Sequence, residues 1–294
     1  MKLHIMEKDI TALATIRTPA YTTYYASIGT LQELIEANEF VKKHNLKLQV
    51  IGGGTNIVFT KEQYTDRLFI TLKKEFKFFD VMSDSVTIGA AFSLMRAGDR
   101  LIKQGYKDFI YMCLIPGTLG GAIRQNAGTT HEGEIRDNII SVNVFDTLDN
   151  KVKTLQNEEM EFSYRDSLVQ QEAGRYIIVS ATFLCGEVER DTERLQQLVA
   201  SKRKERRDKQ PSGYSFGSTF KSLLYEKPAW WYIEQIGLKG RLVGGAEFSE
   251  KHANWIINRK QAQAKDIITL LSKAKEGVEA QFGVELVEEV ELIQ

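Results

Sequence analysis

Hydrophobic and polar positions along this chain change period several times, and each change marks an element. Leu31, Leu34, Ile35 and Val41 fall on one helical face, and Thr30 with Glu33 forms a capping box ahead of them. The spacing predicts a helix from Thr30 to about His44. Leu46, Leu48 and Val50 then alternate with Lys47 and Gln49, which is the period of a strand. That strand enters Gly52-Gly53-Gly54-Thr55-Asn56, and Ile57-Val58-Phe59 reads as the next strand, so the segment is expected to form one compact α/β unit. Residues 68–92 read as further strands, Leu94 to Gln104 as a helix, and Ile139–Phe145 and Tyr176–Phe183 as strands. Asp191 to about Arg207 is a charged connecting helix. A last α/β segment ends in a helix over Asp266–Phe282, with Ile267, Leu271, Ala274, Val278 and Phe282 on one face.

Two glycine segments interrupt this pattern. Leu114 to Gly128 carries Gly117, Gly120, Gly121 and Gly128, with Pro116, Thr118 and Ala122, and has no acidic side chain. Such a loop admits a ligand close to the backbone, and its successive N–H groups suit phosphate oxygens. A tight turn accounts equally well for Gly52–Gly54 taken alone. It is not a dinucleotide-fold fingerprint, because that motif opens a helix and here a strand follows. Two glycine cradles without a lysine-bearing phosphate loop point to a large dinucleotide, not a nucleoside triphosphate.

Composition narrows the class. The chain has 294 residues, which suggests about two domains and permits three small ones. Hydrophobic residues make up 43% and charged residues 27%, the balance of a soluble globular protein. Lys+Arg and Asp+Glu both number 39, which argues against a protein built to hold nucleic acid. The run Lys202 to Lys209 is accordingly a solvated helix face, with an anionic substrate as the second choice. Met1 to Asp9 lacks a signal-peptide core and no run is long enough to span a membrane, so a cytoplasmic protein is expected. Cys113 and Cys185 are expected to be buried free thiols. His4, His44, His131 and His252 are scattered, and no metal site is expected.

Few polar groups remain as candidates for chemistry. Tyr164-Arg165-Asp166-Ser167 places an arginine at a strand end, where a local pair with Asp166 is the plain alternative. Gly217-Ser218-Thr219-Phe220-Lys221 sets a hydroxyl near a lysine, and from residue type alone Ser218 is a turn serine. Glu288 and Glu289, between Val287 and Val290, would occupy opposite faces of a strand, and the inward one is a candidate proton donor.

Taken together, these segments resemble one family, the UDP-N-acetylenolpyruvoylglucosamine reductases (UDP-N-acetylmuramate dehydrogenases, MurB). Ile51 to Ile57 is similar to its G-G-G-[ST]-N segment, and Ile115 to Gly128 to its I-P-G-[ST]-x-G-G-A…N-x-G segment. Tyr164 to Ser167 matches Y-R-D-S, and Gln210-Pro211 with Gly217 to Lys221 resembles Q-P…G-S-x-F-K. Gly237 to Gly240, Gly244 to Ala246 and Ser249 to Asn254 resemble G-L-K-G…G-G-A-x-x-S-x-K-H-A-N, and Leu286 to Val290 the closing L-x-x-E-V. Two departures stand out. Ser222-Leu223 replaces the family's N-P, and Thr129-Thr130-His131 replaces its A-[YF]-G after Asn126-Ala127-Gly128. The stretch from Ala181 to Gln210 is short, like the subgroup that lacks an extra substrate-clamping loop.

The resemblance implies an α+β flavoprotein of the vanillyl-alcohol-oxidase type. Residues 1–72 and 73–189 would be two FAD-binding subdomains, 190–282 a substrate domain, and 283–294 a strand returning to the FAD side. FAD would be held by Gly52, Gly53, Gly54, Thr55, Asn56, Ile57, Pro116, Gly117, Thr118, Gly120, Gly121, Ala122, Asn126 and Gly128. NADPH would reduce FAD and leave, and UDP-N-acetylglucosamine enolpyruvate would then take the hydride at C3. Arg165 would grip the substrate carboxylate, Ser218 would deliver a proton to C2, and Glu289 would polarise or position the enolic intermediate. Tyr164 and Lys221 would contact the substrate, and Lys221 or a water would activate Ser218. A monomer without nucleic-acid or membrane partners is expected. A flavin reductase acting on another nucleotide sugar, and a non-catalytic FAD- or nucleotide-binding module, remain the alternatives.

Overall fold

The computed structural model describes residues 3–294. The chain divides into two compact units of mixed helix and sheet. The first takes the N-terminal residues through Met6, Tyr24–Gly53 and Thr65–Arg203, and the second takes Glu7–Thr23, Gly54–Tyr64 and Lys204–Gln294.

A five-stranded antiparallel sheet organises the first unit. Its order is Lys151–Gln156, Ile139–Asp146, Tyr176–Leu184, Ser85–Gly89 and Phe79–Val81. The inward residues Val142, Val144, Ala181, Phe183, Val86 and Ile88 pack with Leu94, Ala97 and Leu101 from the helix Leu94–Lys103, and with Leu119 and Ile123. A second core forms where Leu34, Ala37 and Val41 of the helix Leu31–His44 meet Leu68, Ile70, Phe145 and Ile177. The predicted capping box is present, with Glu33 N–H donating to Thr30 Oγ1 at 3.1 Å and Thr30 N–H to Glu33 Oε2 at 3.3 Å. Leu31, expected on the buried face, is exposed.

The second unit holds a four-stranded antiparallel sheet in the order Tyr214–Ser218, Trp255–Asn258, Ala246–Phe248 and Leu242–Val243. The helix Ala264–Phe282 buries Ile267, Leu271, Ala274 and Val278 as its spacing predicts, together with Leu270. Asp266 near its start accepts from Gly245 N–H and Gln263 N–H, both at 3.0 Å.

The strand on either side of the first glycine segment does not form the single α/β unit expected from sequence. Lys47–Val50 pairs in parallel with residues 67–70 in the first unit, whereas Ile57–Phe59 pairs in parallel with Glu291–Ile293 in the second. Alternation identifies a strand but not its partner, and this partner lies at the far end of the chain. Tyr64 OH and Thr60 Oγ1 secure it by donating to Ile293 O at 2.5 and 2.7 Å.

Cys113 and Cys185 are buried and free, and burial pushes the Cys113 thiol up to about 12. Among the described residues no helix is long and apolar enough to cross a membrane, and no cluster of three or more His, Cys, Asp or Glu could hold a metal ion.

Gly98 tests how tightly the first core is closed. Alanine within a helix ordinarily adds about 0.5–1 kcal/mol over glycine. Here a Cβ would lie 2.6 Å from Cys113 N and 2.8 Å from its Sγ. Gly98→Ala is therefore expected to lower stability by about 1–3 kcal/mol through overpacking, read from the urea midpoint. A rise in the midpoint would mean that the helix is not held against Cys113.

Candidate active site

The two glycine segments meet in the first unit, and the absence of side chains is what lets them. A Cβ on Gly53 would lie 2.7 Å from Gly117 Cα, and one on Gly52 would lie 2.5 Å from Thr118 Oγ1. Gly52 and Gly53 therefore serve the approach of one loop to the other, and not only the approach of a ligand as the sequence suggested. Gly117 turns the chain at φ +124°, in the region that favours glycine.

Beyond Gly117 the chain is not the continuous loop expected from composition. Leu119–Arg124 is a short helix that begins after Thr118. Leu119 and Gly120 donate their N–H groups to Phe92 O and Ala90 O, both at 2.9 Å. Gly120 packs on Ala90, whose Cβ would be 3.1 Å from an added Cβ, and Ala122 is buried in the core. Gly121 differs from these, because a Cβ there would meet only Thr118 Oγ1 at 3.6 Å. Among the described residues the N–H groups of Gly52, Gly53 and Gly121 have no partner. Open glycine N–H groups beside the start of a helix are the donor set that a diphosphate requires, so the residues present fit a dinucleotide.

The Tyr164–Ser167 segment braces this region from behind. Arg165 does not pair with Asp166. Its Nη1 and Nη2 donate to Asn126 O at 3.2 Å and Gly128 O at 2.7 Å, and Nη1 lies 3.8 Å from Glu134. Its backbone takes φ +56°, rare for a side-chain-bearing residue, inside a turn bridged by Ser163 and Asp166. Tyr164 lies under the guanidinium, 5.0 Å from ring centre to Cζ. Ser167 Oγ donates to Arg124 O at 2.6 Å. Asn126 is wholly buried, donating to Ser163 O at 2.9 Å and accepting from Arg136 N–H at 3.1 Å. Its amide holds the loop itself. Gly128 opens a two-residue strand paired with Gly133–Glu134, and Pro116 is exposed ahead of Gly117.

The second unit gathers the other candidates. Ser218 ends the strand Tyr214–Ser218, opposite Trp255, just after Gly217 at φ +84°. It is a strand-end residue and not a turn serine. Glu289 lies at a bend ahead of Glu291–Ile293, so the pair Glu288-Glu289 is not in a strand as expected. Lys275 Nζ donates to both carboxylate oxygens of Glu288, at 3.0 and 3.2 Å. Glu289 N–H donates to Thr219 O at 2.9 Å, and its carbonyl accepts from Asn56 Nδ2 at 2.9 Å. Asn56, Thr219 and Glu289 thus form one connected set beside Ser218. Gly54 turns at φ +63° and accepts from Thr15 N–H at 2.9 Å, while Ile57 opens the strand paired to Glu291. Lys221 is half-buried, its N–H held by Val287 O at 2.9 Å.

Sequence reading missed Glu134, which faces Arg165, and Asn254, whose amide binds both backbone groups of Phe220. Neither stands out by residue type. Burial holds His252, near Asn254, below its ordinary pKa.

Comparison with known proteins bears on the whole chain. Residues 22–156 match the model of an FAD-binding domain, and residues 209–293 the model of the UDP-N-acetylenolpyruvoylglucosamine reductase C-terminal domain. A UDP-N-acetylenolpyruvoylglucosamine reductase of Lachnoclostridium phytofermentans is 34% identical over 92% of this chain and 86% of its own length. The chain belongs to this family. The reductase of Clostridioides difficile is 35% identical over 90% of this chain and 84% of its own. The crystal structure of the Thermus caldophilus reductase superposes with a TM-score of 0.82 at 26% identity, covering 99% of this chain and all of that one. The α+β fold with its FAD-binding domain is therefore that of the family.

Gly121 gives the cleanest test of the cradle. Gly121→Val has no backbone in its way, so it is expected to fold and to purify with little FAD, read from the visible absorbance. Gly53→Val meets Gly117 and is expected to lose stability as well as cofactor. Full flavin content in Gly121→Val would show that this surface does not carry the cofactor.

Proposed function

We propose that this protein reduces UDP-N-acetylglucosamine enolpyruvate to UDP-N-acetylmuramate with NADPH and bound FAD, a step in peptidoglycan precursor synthesis. The observation that carries this is the meeting of two glycine segments with open N–H donors, in a chain related over nine-tenths of its length to reductases of that name. We further propose that residues 1–72 and 73–189 serve FAD, 190–282 the substrate, and that 283–294 returns to the cofactor side. A cytoplasmic monomer acting on a nucleotide sugar, without nucleic acid, completes the proposal.

The chemistry supplied by bound FAD is hydride transfer, from NADPH in one half-reaction and to C3 of the enolpyruvyl double bond in the other. The remaining work falls to this chain's own residues. Hydride arriving at C3 builds negative charge at C2, which spreads into the attached carboxylate. A fixed cation there stabilises the transition state more than the ground state. Arg165 suits that role, because its side chain is anchored by two carbonyls and its charge is permanent. Tyr164 and Lys221 help hold the substrate. Ser218 delivers the proton to C2, with Lys221 or a water raising its acidity, and Glu289 polarises or positions the enolic intermediate. The backbone bond from Glu289 to Thr219 supports treating Ser218 and Glu289 as one set. Ser222-Leu223, where the family has N-P, favours as a second reading the same chemistry on a different nucleotide sugar.

The first test is colour. The purified protein is expected to be yellow, to bleach anaerobically with NADPH, and to regain its absorbance when the enolpyruvyl substrate is added. Recovery only with another nucleotide sugar would select the second reading.

Arg165→Lys keeps the charge but loses the fork. Recovery of absorbance is expected to slow by about 10²-fold or more, with bleaching by NADPH little changed. Equal damage to both phases would make Arg165 a structural brace.

Ser218→Ala is likewise expected to impair only the recovery phase, while Ser218→Cys retains more activity because its proton is more acidic. Normal recovery in the alanine variant would remove Ser218 from the proton path.

A further inference from the structure

Ser218 sits where regular sheet structure gives out. Its strand pairs with Trp255–Asn258 at Tyr214 and Ser215, the register then breaks, and pairing resumes only at Ser218 opposite Trp255. Gly217, inside the break, takes φ +84°. The sheet ladder therefore fixes the serine weakly from its N-terminal side, and its placement depends on what holds the residues after it.

Those residues are held by Asn254. Asn254 O accepts from Thr219 N–H at 2.8 Å. Its side-chain Oδ1 accepts from Phe220 N–H at 2.9 Å and its Nδ2 donates to Phe220 O at 2.8 Å. Nδ2 also reaches Ser222 Oγ at 3.4 Å. Asn254 is 1% exposed, so these bonds have no competing water. On the other side, Glu289 N–H donates to Thr219 O at 2.9 Å and Lys221 N–H to Val287 O at 2.9 Å. A side-chain amide thus takes the place of a neighbouring strand, offering a donor and an acceptor in one plane as a peptide group would.

We propose that Asn254 is the positioning residue that aims the Ser218 hydroxyl and keeps it in register with Glu289. This rests on the proton-delivery role proposed for Ser218. Asparagine is needed because an aspartate in the same place could accept from Phe220 N–H but would set a second acceptor against Phe220 O.

The test is a double-mutant cycle on the FAD-loaded enzyme, read by rapid mixing with NADPH and then with the enolpyruvyl substrate. Asn254→Asp is expected to leave bleaching by NADPH within about twofold and to slow recovery of absorbance about tenfold to a hundredfold, the scale of a misplaced catalytic group. In a Ser218→Ala background the same substitution is expected to cost little more, because its effect runs through the serine. Additive losses, or equal slowing of both phases, overturn the inference. If Asn254→Asp does not fold, Asn254→Ser runs the same cycle, and failure of both to fold makes Asn254 a fold residue and overturns it too. Should the unsubstituted enzyme bleach with NADPH but never recover with the substrate, the proposed function itself falls. Recovery in the unsubstituted enzyme with an additive cycle would sink only the role of Asn254.

Discussion

Everything proposed for the cofactor depends on one steric constraint, the absence of room for a methyl group between Gly53 and Gly117. The two segments approach so closely that a Cβ on Gly53 would stand 2.7 Å from the opposing Cα. Real Cβ contacts essentially never come so close, so the approach exists only for glycine. Because the segments touch, Gly52 lies beside the start of the short helix Leu119–Arg124. The surface proposed for phosphate is made of backbone, with no charged side chain to reorganise, and its geometry is as rigid as the loops that make it.

The second segment keeps its shape because polar groups behind it are tied to its backbone. Arg165 spends two donors on the carbonyls of Asn126 and Gly128, Ser167 caps Arg124, and Asn126 reaches back to Ser163. A motif that looks catalytic in sequence is thus seen as a brace for the second glycine segment. The two roles are compatible, since an arginine anchored by carbonyls is already oriented before any carboxylate arrives.

Local pattern made much of this legible. The capping box at Thr30, the alternation at Leu46 to Val50 and the buried face Ile267, Leu271, Ala274 and Val278 of the last helix each depend on neighbours within a few residues, and each formed as read. The errors share a cause. The helix at Leu119–Arg124 was hidden because Gly120 and Gly121 suppress helical propensity, and packing on Ala90 outweighs that. The partner of Ile57–Phe59, the bend at Glu289 and the carbonyl partners of Arg165 are all long-range choices that spacing does not encode. Asn254 escaped notice for the same reason: a buried amide shows its purpose only when both of its partners are in view.

The pairing of Ile57–Phe59 with Glu291–Ile293 also has a meaning for how the protein is made. Thr60 and its partner Ile293 are 233 residues apart. Synthesis runs from the N-terminus, so Asn56, Ile57 and Thr60 leave the ribosome long before the strand that satisfies them exists. Until it arrives, that edge is an unpaired template with a hydrophobic face, the kind of surface that recruits chaperones or strays into wrong pairings. Contacts of such separation also slow folding, since a long loop must close before any bond forms. The segment that joins Asn56 to Glu289 is therefore among the last to be completed, and the newborn chain acquires Glu289 and the strand beside its first glycine turn in the same event.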